Sequence, residues 1–311
     1  MSIDVSVVIP THNRARIVER SLAALERQTL ARARYELVVV DDGSRDETPK
    51  RLQEWAAEGR VRALTLPPSG RAAARNAGIR AAVGWLIVFI DDDIIVTAEF
   101  LAAHLAAHTP DDRLIGHGPV IHTTDLERAT ETPAKLTDIS RAFFATGNAS
   151  IRKAHLLEAG LFDEAFVEYG WEDLELGQRL RELNLTAVKV PEARGYHYKP
   201  ALKVSQLEYL RRREQQRART AMLFYRRRPT KRTRGAIMMH PVFFAVDRLL
   251  NAFNWTARPG VTGYLKRQEA KGRTGWVRFL VRSITLHEYL QTLKGEMQKL
   301  EQEERPGAGE S

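Results

Sequence analysis

Residues 85–93 read WLIVFIDDD, a short apolar run closed by three consecutive aspartates. Trp85 to Ile90 predicts a strand buried on both faces, because the run is continuous rather than helical or alternating in period. The apolar run from Val83 to Ile90 falls far short of the ~20 residues that a membrane-spanning helix requires. Three adjacent carboxylates at a buried strand end repel one another, and a divalent cation resolves that conflict. Mg²⁺ and Mn²⁺ favour carboxylate oxygens and leave positions open for phosphate. Asp91 and Asp93 are the natural pair, since alternate residues of an extended chain point to one side. The competing reading is a solvated acidic turn or a helix-start cap; the position in a sheet favours the metal.

Working outward, the chain upstream alternates strand and helix. Val5–Ile9 (VSVVI) and Tyr35–Val40 (YELVVV) are buried-strand runs, with a helix over Ala15–Gln28 between them. Ser44 and Glu47 have capping-box spacing, which predicts a helix from there to about Glu58. Val61–Leu66 reads as a third strand and Ala72–Val83 as a helix. This order predicts a parallel sheet with helices on both faces and a ligand site at the carboxyl ends of the strands. Downstream, the reading places a helix over Thr97–Ala107, strands over Leu114–Ile121 and Phe143–Ser150, a helix near Lys153–Ala159 and a final strand over Thr186–Val190.

Three loops meet at the predicted ligand edge: after Ile9, after Val40 and after Ile90. Pro10-Thr11-His12-Asn13 offers His12 for stacking on a base. In Asp41-Asp42-Gly43-Ser44, Asp42 can accept hydrogen bonds from a base or ribose; the alternative is a turn with an N-cap. Gly70-Arg71-Ala72-Ala73-Ala74-Arg75-Asn76 opens a helix, and its free N–H groups with Arg71 suit a diphosphate. No P-loop or dinucleotide fingerprint is present. Trp171-Glu172-Asp173 begins a helix whose apolar face is Leu176, Leu180 and Leu183. Acids suit a first turn anyway, yet the pair also offers a general base, with Trp171 as a flat platform for an acceptor. His104 and His108 are four residues apart, but no carboxylate completes a zinc motif, so they read as helix surface. His197 stands alone after a strand.

There are no cysteines, which excludes disulfides, thiolate metal sites and cysteine nucleophiles and fits a reducing compartment. The start of the chain lacks the pattern of a signal peptide, so a cytoplasmic protein is expected. The net charge of +9 is concentrated: Arg211–Arg234 holds eleven Lys/Arg against Glu214, a net of +10, and the remaining residues sum to −1. Val242, Phe243, Val246, Leu249, Leu250 and Phe253 follow at helical spacing. An anionic membrane surface, peripheral on its inner face, or self-association through 201–304 are the partners this composition suggests. A nucleic-acid-binding role for the arginines would leave the strand-end acids without a purpose.

Taken in order, VSVVIPTHNR, VVVDDGSRDET, GRAAARNAG, FIDDD, TGNASIRK and YGWEDLELGQRL resemble the blocks of family 2 glycosyltransferases over roughly residues 3–200. The resemblance implies a GT-A fold: a Rossmann-like mixed sheet flanked by helices, here with a C-terminal helical extension. It divides the chain into a nucleotide-sugar half (1–110), an acceptor and catalytic half (111–200), the extension (201–304) and a disordered tail (305–311). It further implies an inverting, Mn²⁺- or Mg²⁺-dependent transfer from a nucleoside-diphosphate sugar to a hydroxyl, in cell-envelope polysaccharide or glycolipid synthesis. UDP is the first choice of nucleotide, with GDP and dTDP as alternatives. By resemblance Asp173, assisted by Glu172, is the catalytic base. Pro10, His12, Asp42, Arg71, Asp91, Asp92, Gly147 and Asn148 line the donor, and Asp91, Asp93 and His197 hold the metal. The family often has Tyr in place of His12, which weakens the uridine preference. A sugar nucleotidyltransferase is the nearest enzymatic rival, but the glycine-rich loop it needs after the first strand is replaced by Pro10–Asn13.

Overall fold

The computed structural model describes residues 2–109, 111–135, 138–140 and 142–303. The predicted tail at 305–311 lies outside them. The chain divides into two compact units: a sheet unit of residues up to Val167 with Glu172–Pro200, and a helical unit of Glu168–Trp171 with the residues from Ala201 onward.

In the sheet unit the order is β1 (Val5–Thr11), α1 (Ala15–Leu25), β2 (Tyr35–Asp42), α2 (Thr48–Ala57), β3 (Arg62–Leu66), α3 (Arg71–Ala81), β4 (Leu86–Ile90), β5 (Ile94–Val96) and α4 (Phe100–Ala106). Then come β6 (Leu114–His117), β7 (Val120–Thr123), β8 (Asn148–Arg152), α5 (Lys153–Glu158), α6 (Glu172–Glu182), β9 (Thr186–Lys189) and β10 (Gly195–Tyr198). Among the described residues, seven strands form a mixed sheet ordered β3-β2-β1-β4-β8-β6-β9, and β5-β10-β7 form a small second one. The first four strands of the large sheet are parallel; β8 runs antiparallel to both β4 and β6. The continuous apolar runs are explained by burial on both sides. Leu37 and Val39 pack with Val18, Leu22 and Leu52, whereas Val38 and Val40 pack with Ala74.

Several predicted boundaries are corrected. The strand expected over Leu114–Ile121 is two strands in different sheets. Pro119 has no N–H to give to a ladder, and a Cβ at Gly118 would fall 2.0 Å from the Ala193 carbonyl oxygen. The strand expected from Phe143 begins at Asn148, and β10 follows the strand expected to be last. The capping box is not formed: Asp46 Oδ1 accepts the Thr48 N–H at 2.9 Å, while Ser44 Oγ accepts the Asn13 N–H at 2.7 Å. His104 and His108 are buried rather than on the surface.

The helical unit contains α7 (Leu207–Arg227), α8 (Lys231–Ala236), α9 (Pro241–Leu250), α10 (Val261–Ala270) and α11 (Thr274–Glu303). Val204, Leu207, Leu265, Val277, Val281 and Ile284 form its core. Many arginines of the basic segment are committed internally. Arg211 bonds the Thr256 carbonyl, Arg217 pairs with Glu214, Arg219 with Glu168 and Arg226 with Glu303. Phe243 is half-buried, and Phe253 lies beyond α9 in a 3-10 turn, so the apolar set does not form a single helical face. Among the described residues no helix is long and apolar enough to cross a membrane.

Candidate active site

The carboxyl end of β4 is the centre of the site. Asp91, Asp92 and Asp93 form a turn closed by the Ile94 N–H on the Asp91 carbonyl at 3.2 Å, so the triplet is not extended and its side chains diverge. Asp92 turns inward. Its Oδ2 accepts the Thr11 hydroxyl at 2.8 Å and its Oδ1 the Arg14 guanidinium at 2.8 Å. Burial pushes this carboxyl up to about 6, although Arg14 pulls the other way. Asp92, expected to line the donor, thus has both oxygens engaged by Thr11 and Arg14. Asp93 places Oδ2 2.7 Å from Arg14 and Oδ1 3.1 Å from His197 Nε2. Burial would raise its pKa, but His197 and Arg14 outweigh that and hold the carboxyl below its ordinary value.

Asp91 turns the other way. Its Oδ1 lies 3.2 Å from Arg75 Nη2, and the same guanidinium gives Nη1 to Glu172 Oε1 at 2.8 Å. Arg75 is buried and stands over the Phe162 ring at 5.7 Å. One arginine therefore joins the strand-end acids to the first turn of α6. Asp173 follows Glu172 there, half-buried. Desolvation, and after it the charge of Glu172, pushes the Asp173 carboxyl up to about 7. That is the range a general base needs near neutral pH, and it overrides the lowering that a helix N-terminus would give.

The donor loops are knitted together. Asn13, in a left-handed backbone (φ 53°), accepts the Arg45 N–H on Oδ1 at 2.7 Å. His12 is exposed, with Nδ1 2.8 Å from the Asp42 carbonyl oxygen and Nε2 2.7 Å from the Asn13 amide. Asp42 accepts the N–H groups of Ser69 (2.7 Å) and Gly70 (3.0 Å), and so ties β2 to the start of α3. Gly70 holds φ 90°, a turn that a side chain would strain and that its 2.6 Å approach to the Val167 carbonyl oxygen would block. Pro10 is half-buried in the β1–β2 ladder opposite Val40. Arg71 is exposed in the first turn of α3, in an environment unlike that of Arg75. Gly147 lies beside Asp91: a Cβ there would sit 3.5 Å from Asp91 Oδ2.

Two further expected site residues have side chains engaged within the protein. Asn148 faces the interior. Its amide donates to the Pro119 and Ala193 carbonyls (2.9 and 2.8 Å), and its Oδ1 faces His104 Nε2 at 2.8 Å, which leaves little of it for a donor sugar. Trp171 belongs to the helical unit and is no open platform. Its ring is buried, stacks on Phe224 at 6.0 Å and carries the Arg217 guanidinium 5.2 Å from its centre. Arg14 and Asn13 were overlooked, and Arg75 was read as sharing a face with Arg71 rather than as a buried bridge between acids. Ala72, Arg75, Asn76 and Ile79 follow i, i+3, i+4, i+7 spacing, the stripe of a core-facing helix, and two polar residues on such a stripe were the legible signal.

Among the described residues no group of three or more His, Asp or Glu is arranged to hold a metal ion. Asp93 and His197 nevertheless fit one. Asp93 Oδ1 is buried and otherwise unpartnered, facing His197 Nε2 in an ion pair at 3.1 Å. The two side chains supply the oxygen and imidazole donors that Mn²⁺ accepts. Asp91 would complete the set only on leaving Arg75. Four carboxyls (Asp91, Asp92, Asp93 and Glu172) also share two guanidiniums, with Asp173 adding its charge nearby, so the cluster favours a further cation.

The description "Glycosyl transferase family 2" matches residues 6–157, which hold the donor loops and the aspartate triplet. The chain carries a family 2 glycosyltransferase domain. It is 33% identical over 213 residues to validoxylamine A glucosyltransferase of Streptomyces hygroscopicus subsp. jinggangensis, covering 56% of this chain and 50% of that one. The chain spans about half the length of the curated relatives it matches first. The fold of this chain is also that of a mannosyltransferase from Pyrobaculum calidifontis in complex with GDP-Man and Mn²⁺ (TM-score 0.55, 20% identity, 98% and 89% of the two chains). It is shared with S. aureus TarS 1–349 in complex with UDP (TM-score 0.51, 18% identity, 96% and 92%).

Proposed function

We propose that this chain transfers a sugar from a nucleoside-diphosphate sugar to an acceptor hydroxyl with inversion at the anomeric carbon. The observation that carries the reading is Arg75, which holds Asp91 and Glu172 on one buried guanidinium and so unites the donor edge with the base-bearing turn. The Asp173 carboxylate takes the proton of the acceptor hydroxyl. The oxygen attacks the anomeric carbon from the face opposite the diphosphate, the bond from that carbon to the phosphate oxygen breaks, and its electron pair leaves on the nucleoside diphosphate. Arg71 and the N–H groups at the start of α3 are placed to meet the developing negative charge. Asp42 and His12 take the base and ribose. Asp93, His197 and Asp91 would hold a divalent ion, which would supply neutralisation of the diphosphate. UDP is the first nucleotide to test, with GDP and dTDP next, and the acceptor is assigned to envelope polysaccharide or glycolipid synthesis.

The test is donor consumption with Mn²⁺, using water as surrogate acceptor and reading the released sugar's anomer by NMR before it mutarotates. The expected result is turnover of one nucleotide's sugars to the inverted anomer, slowed by EDTA. A retained anomer, or no turnover of any donor, contradicts the proposal.

A further inference from the structure

The helical unit displays an apolar surface that its own core does not use. Helix α9 (PVFFAVDRLL) is apolar around most of its circumference. Asp247 is its buried anchor: His287 Nδ1 lies 2.9 Å from Oδ2, and Gln291 Nε2 donates to the same oxygen at 3.0 Å, which fixes the side facing α11. At about 100° per residue, Val242, Val246 and Leu249 emerge away from that side, and they are 51%, 46% and 76% exposed. Beyond the helix, Phe253 and Asn254 hold left-handed backbones (φ 61° and 51°), and Phe253 is 87% exposed. A left-handed phenylalanine is strained, and burial within this chain does not offset the cost.

The start of α11 adds to the same surface. Trp276 and Phe279 stack at 5.5 Å between centroids, each about half exposed, and the Trp276 N–H donates to Tyr264 Oη at 3.2 Å. Trp276 precedes His287 by eleven residues, about three turns, so it shares the side of α11 on which α9 lies.

Charge selects the occupant. Between Pro241 and Arg282 there are eight Lys and Arg, all exposed. The two acids of this stretch face inward: Asp247 is buried on His287, and Glu269 is half-buried and accepts the Val204 N–H at 2.9 Å. Against a second copy paired through the same face, the cations of each copy would oppose those of the other. A bilayer with anionic headgroups offers phosphates to the cations, an apolar layer to Leu and Phe, and an interface suited to Trp and Tyr.

We propose that α9, the 252–257 turn and the start of α11 form a peripheral docking surface for an anionic bilayer, with Leu249, Phe253, Trp276 and Phe279 entering it. The docking cations are those beside the apolar surface, whereas many arginines of 211–234 serve internal contacts. The proposal does not depend on the transfer chemistry, because binding is read without donor or metal.

The full chain is sedimented with vesicles of phosphatidylcholine alone or with about 30% phosphatidylglycerol. The expected result is binding to the anionic vesicles alone, weakened at least about tenfold by 0.5 M salt. Leu249→Ser with Phe253→Ser should weaken it by a further factor of about ten with an unchanged melting curve, since both side chains are exposed. Absence of binding to anionic vesicles at low salt overturns the proposal. So does a concentration-dependent dimer, seen by light scattering, that the double variant abolishes.

Discussion

Two polar clusters lie inside the sheet unit, and they are built on opposite terms. Behind β8, His104 and His108 enclose the Ser150 hydroxyl (2.8 and 2.9 Å), His104 reaches Asn148, and His108 faces Asp112 at 3.0 Å. None of these side chains leaves a buried polar atom without a partner. The Asn148 amide is committed to two carbonyls, so its oxygen must accept and His104 Nε2 must donate. Burial pushes His104 down to about 3, which keeps it neutral. At the carboxyl end of β4 the opposite holds: Asp91, Asp92, Asp93 and Glu172 share two guanidiniums, Asp93 Oδ1 has no hydrogen-bond partner, and Asp92 and Asp173 are pushed up. A satisfied network fixes a fold. A charged cluster left short of partners lowers stability and suits a charged ligand.

The contrast predicts which substitutions damage chemistry and which damage folding. The largest effect is expected for Asp173→Asn, a loss on the order of 10²–10⁴ in rate with donor binding kept, read by turnover and calorimetric titration. In the parent, the rate should rise about tenfold per pH unit up to the Asp173 pKa near 7 and then level. Arg75→Met should cost about 3–5 kcal/mol of stability, because it strands Glu172 and Asp91, and it should also impair turnover. Asn148→Ala should cost about 2–3 kcal/mol in urea unfolding by orphaning two carbonyls and His104, while the rate per folded molecule stays within about threefold of the parent. A Asn148→Ala protein that folds normally but has lost turnover would reverse the assignment of the two clusters.

The smallest effect has the opposite sign. A folded-state pKa raised above the unfolded value means that the Asp173 carboxylate opposes folding, by an amount that grows from about pH 4 and is complete above pH 7. Asp173→Asn should therefore raise stability by on the order of 1 kcal/mol at pH 8, discounted for its partial exposure, and by less at pH 5. A destabilised Asp173→Asn at pH 8 would mean that the carboxylate is well solvated in place.

The parallel half of the fold was legible because β1, β2 and β4 carry unbroken apolar runs that only two-sided burial explains. The second sheet was not, since β5, β7 and β10 have three or four residues each and their partners are distant in sequence. Among the site residues, the strand-end acids announced themselves by charge against an apolar background. Arg14 did not, and Arg75 showed only as a neighbour of Arg71, because their roles depend on which carboxylate folding brings to them. His104 and His108 were misplaced for a related reason: a polar residue within a core looks like surface until its partners are known.

The most direct test of the central claim is a thermal-shift panel of UDP, GDP and dTDP, each with and without Mn²⁺. At 100 times its dissociation constant, a ligand of the acid cluster should add about 2.7 kcal/mol. One nucleoside diphosphate is predicted to stabilise the protein, and to do so only with the metal. No stabilisation by any of the three, or stabilisation indifferent to Mn²⁺, would contradict a donor and metal site at the end of β4.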